Sequence, residues 1–504
     1  METKIYIKDL PCYQRKGNAT EKSIRVAERH FYDLERLPTE GLQQEMESFI
    51  LSRGEKLSMA TVDVDIIHYN VLCKFMKEKN PSMESFQTVP EEILVKKFKA
   101  WLLSHGYKIT RKHHVKYIGA DKQEEAGSIK YLRLLLKYLQ PEDDRLEWEK
   151  DIWNLEKIGF EVRQNPIALI KTVTFAGIEQ SAIKEEIKRA SYIRIKYLSV
   201  GSLVGEIRAA KHFAAFLYEK HPEIESLGSV KRMDIEEYLS YVNLERGQER
   251  NLKTEIAGLK NMLRQVGKVI DKPGLGKLFI KQDMPKAPEV LFRTFSDDEI
   301  KRLNQYIINM EEQTARALIL HQMLGGRISD TLTLRTDCLY QENGHYIIRM
   351  YQVKTSYYEK PVPDDVAALL QKSMEYTYER YGETEYIFVN ESNPTLPFQY
   401  STLKRRMYAV IHENDIRKDN GELMGFTTHL FRHCYGMKLV EMHLDDATIA
   451  HLLGHRGVNT VYRYRRASGQ FLADETKELR NTMDEILSEI IKEWDGYEQV
   501  FQNG

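Results

Sequence analysis

The chain has 504 residues, with 74 Lys and Arg against 75 Asp and Glu and a formal net charge of −1. A hydrophobic fraction of 42% with only 14 prolines excludes long disorder and fibrous repeats, and at ~150 residues per domain the length predicts about three helix-rich domains. Near-neutrality argues at first sight against a polyanionic partner, because phosphate binders are usually basic.

Cys12, Cys73, Cys338 and Cys434 lie far apart, which predicts neither a disulfide framework nor a zinc ribbon and fits a reducing cytoplasm. The opening METKIYIKDLPCYQRKG lacks the apolar stretch of a signal peptide, and no run approaches the roughly 18 apolar residues of a membrane helix. The expectation is a soluble cytoplasmic protein with no membrane partner.

In chain order, the first signal is an internal similarity. Segments 57–85 and 198–226 align without a gap at an offset of 141, with Leu57/Leu198, Phe75/Phe216, Lys79/Lys220, Pro81/Pro222 and Ser85/Ser226 coinciding. Each reads as an amphipathic helix, a turn at the proline and a second helix, at 91–104 and 233–243, so either a small helical module is duplicated or two ordinary helical hairpins share a surface pattern. Between the copies, YKITRKHHVKY (107–117) interleaves basic and aromatic residues and is a candidate DNA-contacting loop. The stretch 269–288, with three prolines and two glycines, reads as an extended linker. A capping box follows, in which Ser296 caps a helix and Glu299 reaches back. Helical periodicity then runs over 297–323. HYIIRMYQV (345–353) and KPVPDD (360–365) read as a β-hairpin, with helices at 364–380 and 400–413 and a short strand at 386–390.

Five segments after the linker place polar residues where packing alone predicts none. In LGGRISDTLTL, Gly325 and Gly326 let the chain turn so that Arg327 points into a cleft, and Asp330, three residues on, orients a side chain or caps the helix. Lys354 ends the first strand of the hairpin. In FTTHLFRH, His429 and Arg432 share a helix face, with Thr427 or Thr428 as N-cap in a position that favours phosphate. In HLLGHRGVNTVYRYRR, His455 follows a Leu-Leu-Gly stop, and Tyr462 and Tyr464 lie among arginines.

The order Arg…Lys…His-x-x-Arg…His…Tyr within about 295–470 resembles the tyrosine recombinase (phage integrase) family. On that resemblance Arg327, Lys354, His429, Arg432, His455 and Tyr464 fill the family's six catalytic positions, with Asp330 in a supporting role. Tyr464 is preferred to Tyr462 because it stands nine residues after His455. The implied fold is mainly α and multi-domain: helical N-terminal modules, then a catalytic domain that is mostly helical with a small antiparallel sheet. The implied boundaries are 181–270 for a core-binding domain, 271–294 for the linker, 295–470 for the catalytic domain and 471–504 for a C-terminal amphipathic helix; residues 1–180 depart from the family's usual short arm and read as an added helical module, either a duplicate DNA-contacting domain or a partner-binding one.

The resemblance implies recombination of duplex DNA by a homo-tetramer, through a Holliday junction, with accessory proteins setting direction and with no metal or other cofactor. Tyr464 would attack the scissile phosphate to leave a 3′-phosphotyrosine, Arg327 and Arg432 would grip its non-bridging oxygens, and His455 would bond one of them. His429 would act as base and Lys354 as acid to the departing 5′-oxygen. The alternatives are a type IB topoisomerase-like nicking-closing enzyme and a catalytically silent DNA-binding relative.

The charge balance is also uneven. Segment 471–504 carries 3 basic and 9 acidic residues, which leaves 71 against 66, or +5, in residues 1–470. The helical stripe Leu472, Leu479, Met483, Ile486, Leu487, Ile490 and Trp494 in that acidic tail fits docking on protein, either its own domain or a neighbouring protomer.

Overall fold

The computed structural model describes residues 3–14, 20–115, 120–141, 143–246, 252–285, 293–353 and 357–469, with Lys477, Asn481 and Met483. The chain divides into two compact units, Met1–Asp144 and Arg145–Gly504. Among the described residues no helix is long and apolar enough to cross a membrane. Lys354, the tail stripe apart from Met483 and most of the linker after 285 lie outside the described residues.

The first unit runs β1 (Lys4–Tyr6), α1 (Pro11–Gln14), α2 (Glu21–Ala27), β2 (Phe31–Asp33), α3 (Glu40–Lys56), α4 (Met59–Lys79), α5 (Glu91–Ser104), β3 (Thr110–Val115), β4 (Ala120–Glu125) and α6 (Gly127–Leu139). The long helices α3 to α6 close around Met46, Phe49, Tyr69, Phe75, Phe98 and Leu132.

The second unit begins with the same plan: β5 (Ile152–Asn154), β6 (Thr172–Thr174), α7 (Ser181–Arg194), α8 (Val200–Lys220), α9 (Arg232–Arg246) and α10 (Leu252–Val269). The register of 141 extends beyond the aligned hairpins. It carries β2 onto β6, and the first residues of α3, α4 and α5 onto those of α7, α8 and α9. The internal bracing is repeated as well. Glu45 accepts from the Ser85 hydroxyl (2.5 Å) and the Phe86 N–H (2.9 Å). Glu186 accepts from the Ser226 hydroxyl (2.5 Å) and the Leu227 N–H (2.8 Å). Arg53 donates to Asp65 as Arg194 donates to Glu206, and both carboxylates are 6% exposed. A shared surface pattern would not reproduce buried polar braces, so the two modules are copies of one fold.

The copies differ before the fourth helix. Buried Ile129, Leu132, Leu135 and Leu136 of α6 match Ile256, Leu259, Met262 and Leu263 of α10 at an offset of 127. The first copy therefore has 14 extra residues there, accommodated by the β3–β4 hairpin. That hairpin holds the basic segment singled out in the sequence.

Two boundaries differ from the sequence reading. Residues 145–180 belong with the second module, because Trp153, Val173 and Phe175 bury among α7, α8 and α10. The first part of the expected linker folds back on the same module: Leu275 and Phe279 are buried, and Arg232 pairs with Asp283. Apolar side chains and that ion pair outweigh the proline and glycine content.

The rest of the unit comprises α11 (Asp297–Ile307), α12 (Glu312–Leu324), α13 (Ile328–Leu332), β7 (Leu339–Glu342), β8 (His345–Tyr351), β9 (Tyr357–Val362), α14 (Asp364–Tyr381), β10 (Val389–Asn390), β11 (Asn393–Pro397), α15 (Tyr400–Glu413), α16 (Thr428–Glu441), α17 (Asp446–Leu452) and α18 (Val461–Ala467). The Ser296–Glu299 capping box opens α11. β7, β8 and β9 form an antiparallel sheet in that order, and its Ile348, Met350 and Val362 pack in one core with the surrounding elements' Leu324, Leu332 and Val366. The protein is thus mostly helical with small antiparallel sheets. Glu45→Ala or Glu186→Ala strands a hydroxyl and an amide in its own copy. Each is expected to lower that module's stability by about 1–3 kcal/mol. Hydrogen exchange on the full chain should locate the loss to 40–104 in the first variant and 181–246 in the second.

Candidate active site

The site is built where helices end. Helix α12 stops at Leu324, and Gly325 turns the chain in the left-handed region at φ +62°. A Cβ there would stand 2.2 Å from the Tyr435 ring, so glycine is required on both counts. Arg327 then precedes α13, its backbone N–H donating to Asp330 Oδ2 at 3.3 Å. Ser329 donates to the other oxygen of that carboxylate at 3.1 Å. Asp330 is 1% exposed; burial raises its pKa, and Arg327 opposes the rise.

Thr427 caps α16 by accepting the His429 N–H, which places His429 in the first turn and Arg432 just beyond it. Arg432 is 1% exposed, and its guanidinium donates to the carbonyls of Gly325 (2.9 Å) and Leu453 (2.7 Å). Its Nη2 also lies 2.7 Å from His455 Nε2. A guanidinium accepts nothing, so Nε2 must be the acceptor and the imidazole proton sits on Nδ1. Burial, then Arg432, hold the His455 pKa down at about 4, which keeps the ring neutral. Among the described residues that buried Nδ1 has no hydrogen-bond partner, nor has Nη1 of Arg327, from which Asp330 is 3.8 Å away.

Tyr464 lies on α18, 3% exposed, against the backbone of Gly436 on α16. A Cβ at 436 would stand 2.7 Å from the ring. The ring stacks on His455 with centroids 6.5 Å apart. Burial raises the Tyr464 pKa, while the charge and hydrogen bond of Arg432, then Arg327 and Arg463, act the other way. Tyr462 is 51% exposed.

The structure therefore brings Arg327, Asp330, Arg432, His455 and Tyr464 together. His429 is exposed at the mouth, its ring 4.5 Å from that of His433. Three neighbours escaped the sequence reading. His433 stands 6.0 Å from the Tyr464 ring and lies 3.0 Å from the Arg293 carbonyl through Nδ1. His321 donates from Nε2 to the Thr428 carbonyl at 2.9 Å, so its Nδ1 accepts from Thr331 at 3.1 Å. It thereby ties the helices of Arg327 and Arg432 together. Lys360 is buried on β9, on the face it shares with Val362. The alternation of β9 gave a signal for Lys360; nothing local marked His321.

Burial drives His321 down to about 4, as it does His455. In the unfolded chain both titrate near 6.5, so between about 6.5 and 4 the unfolded state binds more protons. Stability is therefore expected to rise with pH across that window and to be lost as pH falls from about 6.5 to 4. His321→Gln, which keeps the bond to Thr428, should flatten the slope by up to about one proton, read by urea unfolding at stepped pH.

Residues 293–470 match the model of the phage integrase family. Transposase B from transposon Tn554 of Staphylococcus aureus is 23% identical over 414 residues, covering 81% of this chain and 65% of the transposase. The chain thus spans about two thirds of the length of that relative. Tyrosine recombinase XerC of Rickettsia canadensis is 23% identical over 270 residues, covering 51% of this chain and 83% of XerC. Among solved structures, the Tn1549 transposon integrase in complex with transposon right end DNA aligns with a TM-score of 0.41 and 14% identity, over 58% of this chain and 99% of that one. That matched span, 293–470, contains all of the residues that converge on this site.

Proposed function

We propose that the protein is a site-specific recombinase of a mobile element, which cuts and rejoins duplex DNA through a 3′-phosphotyrosine. The observation that carries this reading is the convergence of Arg327, Arg432, His455 and Tyr464 around two buried donors, Arg327 Nη1 and His455 Nδ1, that have no hydrogen-bond acceptor among the described residues. A phosphate oxygen is the acceptor both would take. The transposase and recombinase relatives support the same substrate class.

In this mechanism Tyr464 attacks phosphorus, a P–O bond to tyrosine forms and the bond to the 5′-oxygen breaks. Arg327 and Arg432 stabilise the added negative charge of the pentacoordinate state. Their field also favours the phenolate, which burial alone disfavours. His455 Nδ1–H binds a non-bridging oxygen, His429 at the mouth takes the phenol proton, and Lys354 protonates the departing 5′-oxygen. Attack of a 5′-hydroxyl from a second duplex reverses the step without outside energy. Pairwise exchanges of this kind call for a homo-tetramer on DNA in the cytoplasm, with accessory proteins setting direction and the acidic tail docking protomers.

The first unit is read as a second DNA-contacting module. Its fourth helix keeps basic residues where the other copy has them, Arg133 for Lys260 and Lys137 for Arg264, and exposed Arg111 and Lys112 extend the charge onto β3. Each cation withdrawn from a phosphate reduces the salt slope of binding by about one. Lys137→Ala with Arg111→Ala and Lys112→Ala is therefore expected to lower that slope by about two to three in a salt titration of the full chain, with cleavage of a short duplex unchanged.

Tyr464→Phe is expected to abolish covalent trapping on a nicked duplex while DNA binding persists, and Tyr462→Phe to trap as wild type does. Trapping by Tyr464→Phe with none by Tyr462→Phe would reverse the assignment. Strand exchange between two labelled duplexes, rather than supercoil relaxation alone, separates recombinase from topoisomerase.

A further inference from the structure

Lys360 is 3% exposed and its ammonium meets no carboxylate among the described residues. It donates instead to the Leu324 carbonyl and, at 3.4 Å, to that of Leu452. These are the last residues of α12 and α17, where the helix dipole presents partial negative charge. The next carbonyl towards each segment's pocket residue, at Gly325 and Leu453, is held by Arg432. Three residues beyond each Lys360 anchor stands a pocket side chain, Arg327 in Leu-Gly-Gly-Arg and His455 in Leu-Leu-Gly-His. Two buried cations thus clamp the same pair of chain ends in adjacent registers. Met350, facing Gly326, and Tyr435, whose ring lies 5.1 Å below the ammonium, complete the packing.

We propose that Lys360 is a positioning residue of the active site, holding the segments 324–327 and 452–455 at the separation that lets Arg327 and His455 reach one phosphate. It acts through the backbone and does not touch DNA. Burial and the charge of Arg432 bring its ammonium down to about 7, so the position is held by a group that gains from a nearby phosphate. A neutral side chain of similar length, as in Lys360→Met, would leave both carbonyls without a donor and release the two ends independently.

The inference rests on the phosphotyrosine reading, and the test separates the two. The duplex is the one recovered by sequencing DNA trapped by the wild-type full chain; if the wild type traps none, the proposed function fails, whatever Lys360 does. Single-turnover cleavage, DNA affinity and the thermal melt are measured for wild type, Lys360→Met and Lys360→Arg. Lys360→Met is expected to cleave at least about tenfold more slowly with affinity within about threefold, and Lys360→Arg, which keeps a cation, to recover most of the rate. The same duplex is then made with sulfur at the 5′-bridging position, a leaving group that needs no proton. A positioning defect persists on that substrate. Full rescue of Lys360→Met by the bridging sulfur would make Lys360 the general acid and overturn the proposal. So would a folded Lys360→Met that cleaves within about twofold of wild type, or a loss of affinity that accounts for the whole loss of rate.

Discussion

The site depends on a buried guanidinium, Arg432, that among the described residues forms no ion pair with a carboxylate and feels Asp330 only from a distance. Burying an unpaired charge is among the least favourable acts in folding, and the usual remedy is an opposite charge. Here Arg432 is solvated by two main-chain carbonyls at helix ends and by a neutral imidazole. The remedy matters chemically. A carboxylate bonded to Arg432 would compete with phosphate for the same fork, whereas carbonyl partners fix its orientation and leave its charge available.

The rest of the site follows from that choice. Carbonyls at the ends of α12 and α17 can face inward only if the chain turns sharply, which puts glycine at 325. His455 must be neutral to accept from Arg432, and burial and nearby arginines keep it so. Its remaining proton, on the buried Nδ1, is then left as a donor within the site. His321 locks the helix of Arg327 against that of Arg432, and it too is kept neutral by burial. The Tyr464 ring closes the arrangement because Gly436 leaves room for it on α16.

Sequence and structure agree where chemistry has local punctuation. The Ser296 capping box, the Thr427 N-cap, the hairpin of β8 and β9 and the duplicated helices all rest on short-range patterns, and the structure has each of them. Arg327, Arg432, His455 and Tyr464 were marked by residue types in order, and they lie close in space. The alternation of β9 marks Lys360 only as inward-facing, and neither it nor His321 was legible as a site residue, since the carbonyls they hold lie 36 and 92 residues from Lys360 and 107 from His321. The expected linker failed because proline and glycine content says nothing about what Leu275 and Phe279 bury against. The module boundary at 180 failed for a related reason: β5 and β6 are too short to show a period, although Trp153 in β5 is a core residue.

Repetition of the Glu–Ser and Arg–carboxylate braces has a kinetic side. In an unfolded chain the turn at Ser226 is as good a partner for Glu45 as the turn at Ser85, because both offer a hydroxyl and an amide in the same geometry. Chemically matched tandem modules compete for each other's segments. Vectorial synthesis removes the competition, since residues 1–144 form a closed core before the second set of helices exists. The β3–β4 insertion helps further, making the last connection of the first copy 14 residues longer and so unlike its counterpart. A chain diluted from denaturant has neither order of appearance nor that delay, and cross-paired modules are the misfolded species it would form.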